Sequence, residues 1–463
     1  MPVLGERAVV LGASMSGLLA ARVLAEFYRD VTLVERDELS DSPSPRRGVP
    51  QGRHPHALLA RGAQTIGELF PGIFDDLVAE GAPVWDFAMS KIYICLNGHL
   101  VVRSGRAAYD DDATPMYQPS RPLLECHVRR RLRALPNVTI ADGHEVTELC
   151  TSPDRARVTG VRLVDRETSA ETVMRADLVV DAMGRAARTP ALLDRLGYQR
   201  PVEECVTMHT TYMSQALRIP PGTLHEMLVG IGPAAAQPTG MFLVRNENDQ
   251  WIFTVFGMGI EPPRDLPGMI AFARARAPEH VLAGVAAGEP LGPAVPHKLP
   301  SSQWRRYDKL HRFPGGLLVI GDAMCSFNPI YGQGMSVAAT EATALREALR
   351  RGSHDVARRY FHLAAKSVGV AWSLGAGTDL AFPQVQGRRT PVTRLTQRYA
   401  DWILTACETD ALVHAQFTKV AGLVDPPARL FHPAFVRRVA HVNRARRQQG
   451  PGSRPGGTVL TAR

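Results

Sequence analysis

The stretch that most limits the fold is "RAVVLGASMSGLLAARVLAEF", residues 7–27, with "VTLVER", 31–36, close behind it. "RAVVLG" is short and nearly all apolar, as expected of a parallel strand covered on both faces. "MSGLLAARVLAEF" carries apolar residues at helical spacing, and "VTLVER" reads as a second buried strand. Strand, turn, helix and strand make one βαβ unit of roughly 30 residues. Its turn is "GASMSG", Gly12 to Gly17. In the usual GxGxxG fingerprint an acid follows about 20 residues later. Here Ser14 stands at the middle glycine. Gly12 allows the tight turn and Gly17 lets the helix pack on the strand. Ser14 is small enough for close approach. The N–H groups around Ser14, Met15 and Ser16 then face a pyrophosphate at the helix N-terminus. Glu35 ends the second strand and is placed to accept from a ribose hydroxyl, which suits FAD or NAD better than NADP. Arg36 beside it suits a phosphate or the face of an adenine. The competing reading is a tight strand–helix turn with no ligand.

The chain has 463 residues, 45% apolar and 21% charged, which points to a soluble protein of two or three domains. It lacks an apolar run of about 18 residues, so no transmembrane helix or stable membrane insertion is expected. The N-terminus lacks a signal-peptide cleavage pattern. Six cysteines without a CxxC pair read as reduced, cytoplasmic usage. The net charge of +9 comes largely from arginines scattered beside acidic residues, so nucleic acid is not an expected partner. A monomer or weak dimer is expected.

Further buried strands are expected at 176–184, "ADLVVDAMG", after the hairpin "VTGVRLVDRETSAETVM", and at 315–322, "GGLLVIGD". Between them, 205–260 has antiparallel-strand composition, with the polar turn "NEND" between apolar arms. After 334 the pattern is mostly helical, the first helix ending at Arg350, Arg351 and a capping Gly352. The expected fold is α/β, with a Rossmann-like nucleotide domain built from 1–85, 110–195 and 300–352. Residues 86–109 and 196–299 form an inserted antiparallel substrate domain, 353–446 a helical region and 447–463 a flexible tail.

"GDAMCSFNPIYGQGMS", 321–336, follows the last strand. Together with "GASMSG", it resembles the FAD-dependent monooxygenases of the para-hydroxybenzoate hydroxylase type (group A). Their pattern is Gly-Asp-Ala, a Pro, then Gly-x-Gly at a helix start, here Gly321, Asp322, Ala323, Pro329, Gly332, Gln333 and Gly334. The resemblance implies that Asp322 binds a ribityl hydroxyl of FAD. It also implies that the helix starting near Gly334 and Met335 points its positive end at the flavin pyrimidine ring, where reduced flavin carries negative charge. In "DLVVDAMGR" the family often has Asp-Gly where this chain has Met183 and Gly184, with Asp181 two residues earlier. That leaves the FAD contact standing and weakens a nicotinamide contact. Cys325 reads as a packed thiol rather than a nucleophile.

"RRGVPQGRHPHALL", 46–59, gathers cations that are costly to bury without an anionic or polar partner. The resemblance carries a cofactor contact onto Arg47 or Arg53, and another onto Arg121 in "YQPSRPLLE". Val146 completes the expected cofactor-binding set. His54 and His56 are metal ligands by type, but no carboxylate partner stands out, so no metal is expected. Within the superfamily, the two stretches 46–59 and 321–336 look like the flavin epoxidases of polyether polyketide biosynthesis, over most of 1–390.

That resemblance implies that NADPH or NADH, bound transiently, reduces FAD. A flavin C4a-hydroperoxide formed with O2 then epoxidises an alkene of a hydrophobic polyene or polyketide-like substrate. No protein nucleophile is required, so no catalytic side chain is assigned. The protein positions the alkene and keeps water out. Tyr212, Met213, Phe242, Trp251, Phe253 and Phe327 are candidates for the substrate pocket, each equally readable as simple core. The alternatives on the same scaffold are aromatic hydroxylation, which a base placed to ionise a phenol would favour, and prenyl double-bond reduction. Flavin halogenation lacks its paired-tryptophan motif here. The non-enzymatic alternative is a flavin-binding interaction protein.

Overall fold

In the computed structural model, residues 3–109 and 113–448 are described. Five parallel strands form the first sheet, in the order Leu317–Val319, Leu178–Asp181, Gly5–Leu11, Tyr28–Val34 and Val138–Ala141. The central strand is buried from Ala8 to Leu11, which explains its unbroken apolar run. The helix Met15–Leu24 buries nine of its ten residues. It is covered on both sides because the helix Gly334–Arg350 packs over it in the same core. A three-stranded antiparallel sheet, His144–Thr151, Val158–Asp165 and Glu171–Arg175, flanks this unit.

The second large sheet has nine strands. Its centre is the long strand Glu203–Arg218, paired antiparallel with Gln250–Met258 on one side and Val295–Arg305 on the other. The expected turn at "NEND" joins Thr239–Arg245 to Gln250–Met258, with Asn248 and Asp249 both at positive φ. Residues 92–96 and 99–100 extend the same sheet at its far edge. At the other edge Cys325–Ser326 pairs with Val295–Arg305. The stretch 321–336 therefore leaves the parallel sheet at its start and touches the antiparallel one before entering its helix.

The nine-stranded sheet has two different faces, set by the alternation of strand side chains. Met213, Leu217, Trp251, Phe253 and Val255 lie beneath the helices Leu266–Ala273 and Glu279–Ala286. Tyr212, Phe256, Met258 and Leu299 face the opposite way, against Ala376, Leu380 and Phe382. The helix Val356–Asp379 packs on Gly334–Arg350 and ends at this second face. Helices Pro391–Cys407, Ala411–Ala421 and Pro433–Gln448 close a separate core around Trp85, Ile403, Cys407 and Val439. The last of these takes in 447 and 448, the first two positions of the expected tail; 449–463 lie outside the described residues.

Candidate active site

The Gly12–Gly17 turn is built by close approach. Gly12 sits at φ +100°, where a Cβ would lie 2.8 Å from the Ala182 carbonyl oxygen. A Cβ on Gly17 would come within 1.8 Å of the Gly12 carbonyl oxygen, so only glycine lets the helix start there. Glu35 locks the turn from the neighbouring strand. Its Oε2 accepts the Ala13 N–H at 2.8 Å, and its Oε1 accepts the N–H groups of Arg36 and Asp37 at 2.9 and 3.2 Å.

Arg46 is the arginine that reaches this carboxylate. Its Nη1 lies 2.9 Å from Glu35 Oε2 and 3.5 Å from Asp37 Oδ2. Its Nε donates to Glu125 Oε1 at 2.8 Å and its Nη2 to the Ala13 carbonyl at 2.7 Å. Glu125 accepts in turn from Arg121 Nε at 3.1 Å, and Arg121 Nη2 donates to Ser14 Oγ at 3.0 Å. An alternating chain of charge, Ser14–Arg121–Glu125–Arg46–Glu35, thus encircles the turn. Arg121 opens the helix Arg121–Arg133, where a cation opposes the dipole, and the buried Glu125 one turn on compensates it. The two arginines expected from 46–59, Arg47 and Arg53, are exposed, as is Arg36.

Asp181 and Val146 are engaged by the protein itself. Asp181 is fully buried; its carboxylate accepts the Met183 N–H at 3.0 Å and the Thr189 hydroxyl at 2.5 Å, so it shapes the turn after its strand. Val146 packs into the core beneath the parallel sheet. Gly184, at φ +75°, faces open space beside the exposed Met183.

Asp322 is exposed, yet dense surrounding protein raises its carboxyl above the usual range, with Arg121 and Arg185 drawing it back. Gly321, at φ +68°, donates its N–H to Glu341 Oε2 at 2.5 Å. Glu341 is fully buried, and burial pushes its carboxyl to about 8. No side-chain cap bond closes the N-terminus of Gly334–Arg350 among the described residues, and Gly334 is exposed with open space at its Cβ position. The first N–H groups of that helix are left for an acceptor from outside the helix. Pro329 is exposed beside them, while Gln333 and Met335 are buried.

A polar network anchors this loop. Tyr331 donates to Asp379 Oδ1 at 2.7 Å, and Asn328 Nδ2 donates to the same carboxylate at 3.1 Å. The Tyr212 hydroxyl donates to Asn328 Oδ1, which ties the sheet to the loop. Burial pushes the Asp379 carboxyl to about 7. Beside Tyr212, on the same face of the sheet, His54 Nδ1 shares a 2.6 Å hydrogen bond with Ser214 Oγ, which meets Thr254 Oγ1 at 2.5 Å. His297 lies 5.3 Å from the His54 ring. Burial holds the imidazoles of His54 and His56 down at about 4 and about 3, so both are neutral at pH 7. Among the described residues no group of three or more His, Cys, Asp or Glu could hold a metal ion.

The expected pocket residues divide between the two faces. Tyr212 and Phe242 lie on the face toward the loop, together with Phe256. Phe327 packs at the core edge near Trp372. Met213, Trp251 and Phe253 belong to the opposite face, sealed under Leu266–Ala273 and Glu279–Ala286, and do not line the same space. Arg46 and Asn328 stand inside the stretches 46–59 and 321–336 without being singled out there, whereas Glu341 and Asp379 fall in no motif.

No family model matches the chain. Protein Rv3254 of Mycobacterium tuberculosis is 39% identical over 436 residues, which span 91% of this chain and 90% of that protein. A flavoprotein/dehydrogenase from Cytophaga hutchinsonii superposes with a TM-score of 0.67 at 12% identity, covering 96% of this chain and 100% of that one. The p-nitrophenol 4-monooxygenase PnpA from Pseudomonas putida superposes at 0.63 and 18% identity, covering 92% and 99%. The chain belongs to the family of the mycobacterial protein Rv3254 and has the fold of the FAD-dependent monooxygenases of the para-hydroxybenzoate hydroxylase type.

Proposed function

We propose that this protein is an FAD-dependent monooxygenase that transfers one oxygen atom from O2 to a hydrophobic small molecule, most specifically an epoxidase of polyene or polyketide-like C=C bonds. The observation that carries the monooxygenase reading is the exposed Asp322 at the end of the parallel sheet, followed in the same stretch by the exposed, uncapped helix start at Gly334. The residues present fit FAD. Gly12, Ser14 and Gly17 would admit a pyrophosphate, Asp322 would accept from a ribityl hydroxyl, and the N–H groups after Gln333 would stabilise negative charge on the reduced flavin. Glu35 already holds four donors, so a ribose hydroxyl shares or displaces the Arg46 contact. Bound FAD, reduced by NADH or NADPH, supplies the activation of O2. The chain's own residues position the substrate and exclude water. Epoxidation rests on the likeness of 46–59 and 321–336 to the polyether epoxidases, and the aromatic face of Tyr212, Phe242 and Phe256 suits an apolar substrate.

One observation favours a second reading, hydroxylation of a phenol. His54 is a neutral imidazole whose Nδ1 is held by Ser214, beside His297 and Tyr212. Such a group can take a proton from a substrate hydroxyl. Purified protein should bind FAD, read by flavin absorbance and fluorescence quenching, and Asp322→Ala should weaken that binding at least tenfold. Protein that takes up no FAD overturns the flavin reading. Labelled O2 should place one atom in the product; turnover without label leaves double-bond reduction. If a phenol is the substrate, His54→Ala should lower kcat and remove its fall as pH drops toward about 4; for an alkene it should leave the pH dependence of kcat unchanged.

A further inference from the structure

The helix Pro391–Cys407 is packed along only part of its length. Ile403, Leu404, Ala406 and Cys407 are buried, whereas Val392 and Leu395 are 71% and 69% exposed. The projecting end is held helical by its own cap. Thr390 Oγ1 accepts the Thr393 N–H at 3.1 Å, Thr393 Oγ1 accepts the Thr390 N–H at 3.4 Å, and Pro391 occupies the first turn. Val392, Leu395 and Tyr399 fall on one side at helical spacing. Tyr399 stacks at 4.9 Å on Phe431, itself 60% exposed, so the apolar stripe continues onto the next segment.

The segment that carries the projecting end has one sign of charge. Between Asp379 and Asp401 there are four arginines and no acidic residue. Arg389 is tied to the carbonyls of Leu380, Phe382 and Val385. Arg388, Arg394 and Arg398 are exposed, and no ion pair engages them among the described residues. Arg394 and Arg398 are one helical turn apart and run along the edge of the stripe.

We propose that this helix end docks on an anionic phospholipid surface, with Val392, Leu395 and Phe431 entering the headgroup boundary and Arg388, Arg394 and Arg398 meeting lipid phosphates. An apolar stripe edged by arginine is the pattern of interfacial helices. A second copy of the chain fits poorly, because a two-fold contact sets the same arginine row against itself. A stable protein partner needs about 800 Å² on each side, wider than one helix end with three apolar tips. The contact is peripheral. No described helix is long and apolar enough to cross a membrane.

The test is co-sedimentation of the full chain with phosphatidylcholine vesicles, with and without phosphatidylglycerol. Binding should require phosphatidylglycerol and fall as salt rises. Each of Arg388→Gln, Arg394→Gln and Arg398→Gln should weaken it about fivefold. The double change Val392→Ser with Leu395→Ser should remove most of it, while thermal unfolding stays unchanged because both positions are exposed. Equal binding to both vesicle types, or no binding to either, overturns the proposal. So does a wild-type dimer in light scattering that the double variant splits. None of these readouts depends on bound flavin or turnover.

Discussion

Tyr331 and Asp379 are joined by a 2.7 Å hydrogen bond that pins the loop before the helix Gly334–Arg350 to the end of the helix Val356–Asp379. The carboxylate is fully buried and accepts from Asn328 as well, and Asn328 in turn accepts from Tyr212 on the sheet. One acid thereby fixes three elements around the candidate site. Asp379→Ala leaves the Asn328 amide and the Tyr331 hydroxyl without their acceptor. It should cost about 2–5 kcal/mol, and Tyr331→Phe about 1 kcal/mol, both read from denaturant melts.

Stability should peak at about pH 6–7. Glu341, at about 8, and Asp379, at about 7, hold their protons more tightly in the folded chain than in the unfolded one. Stability from these groups therefore falls as pH rises from the usual carboxylate range to those values. His54 at about 4, His56 at about 3 and His414 at about 4 act in the opposite sense. The unfolded chain takes up protons there below about pH 6.5, and stability falls as pH drops. Glu341→Gln, which keeps an acceptor for the Gly321 N–H, should flatten the alkaline fall by about 1.4 kcal/mol per pH unit between about pH 5 and 8. Unfolding midpoints across a pH series check both statements.

Arg46 and Arg47 are neighbours with opposite expectations. Arg46→Ala leaves Glu35, Asp37 and Glu125 facing one another in a nearly closed space. Removing one partner of such buried ion pairs should cost about 3–5 kcal/mol. The exposed Arg47 should tolerate alanine within about 0.5 kcal/mol. Chemical unfolding of the two variants side by side tests the assignment.

Two glycines separate fold from ligand. Gly17→Ala forces a Cβ to within 1.8 Å of the Gly12 carbonyl oxygen and should prevent folding. Gly334→Ala meets open space at an ordinary φ, so the thermal midpoint should stay within a few degrees. FAD affinity, measured by fluorescence titration, should fall about tenfold in Gly334→Ala if a flavin approaches that helix start. A lowered midpoint with unchanged FAD affinity would instead make Gly334 a packing residue.

The strands and helices of the nucleotide unit were legible because each is encoded within a few residues. Continuous apolar runs mark doubly covered strands, and a glycine turn marks the passage into a helix. Strand alternation was equally available. Tyr212 and Met213 are adjacent on one strand and could never line one pocket. Which of them faces the loop depended on where Leu266–Ala273 and Glu279–Ala286 pack, information that lies outside the strand itself.

By itself the sequence determined the βαβ unit, the return of the chain to the parallel sheet at 178–181 and 317–319, and the helix beginning at Gly334. Each follows from local periodicity and backbone freedom. Only the tertiary structure decided that Arg46 rather than Arg47 or Arg53 reaches Glu35, that Asp181 is sealed while Asp322 is open, and that Asp379 holds the loop. Those outcomes join residues far apart in the chain. They turn on which side chain is desolvated beside which charge, and that is set by packing between segments, not within one.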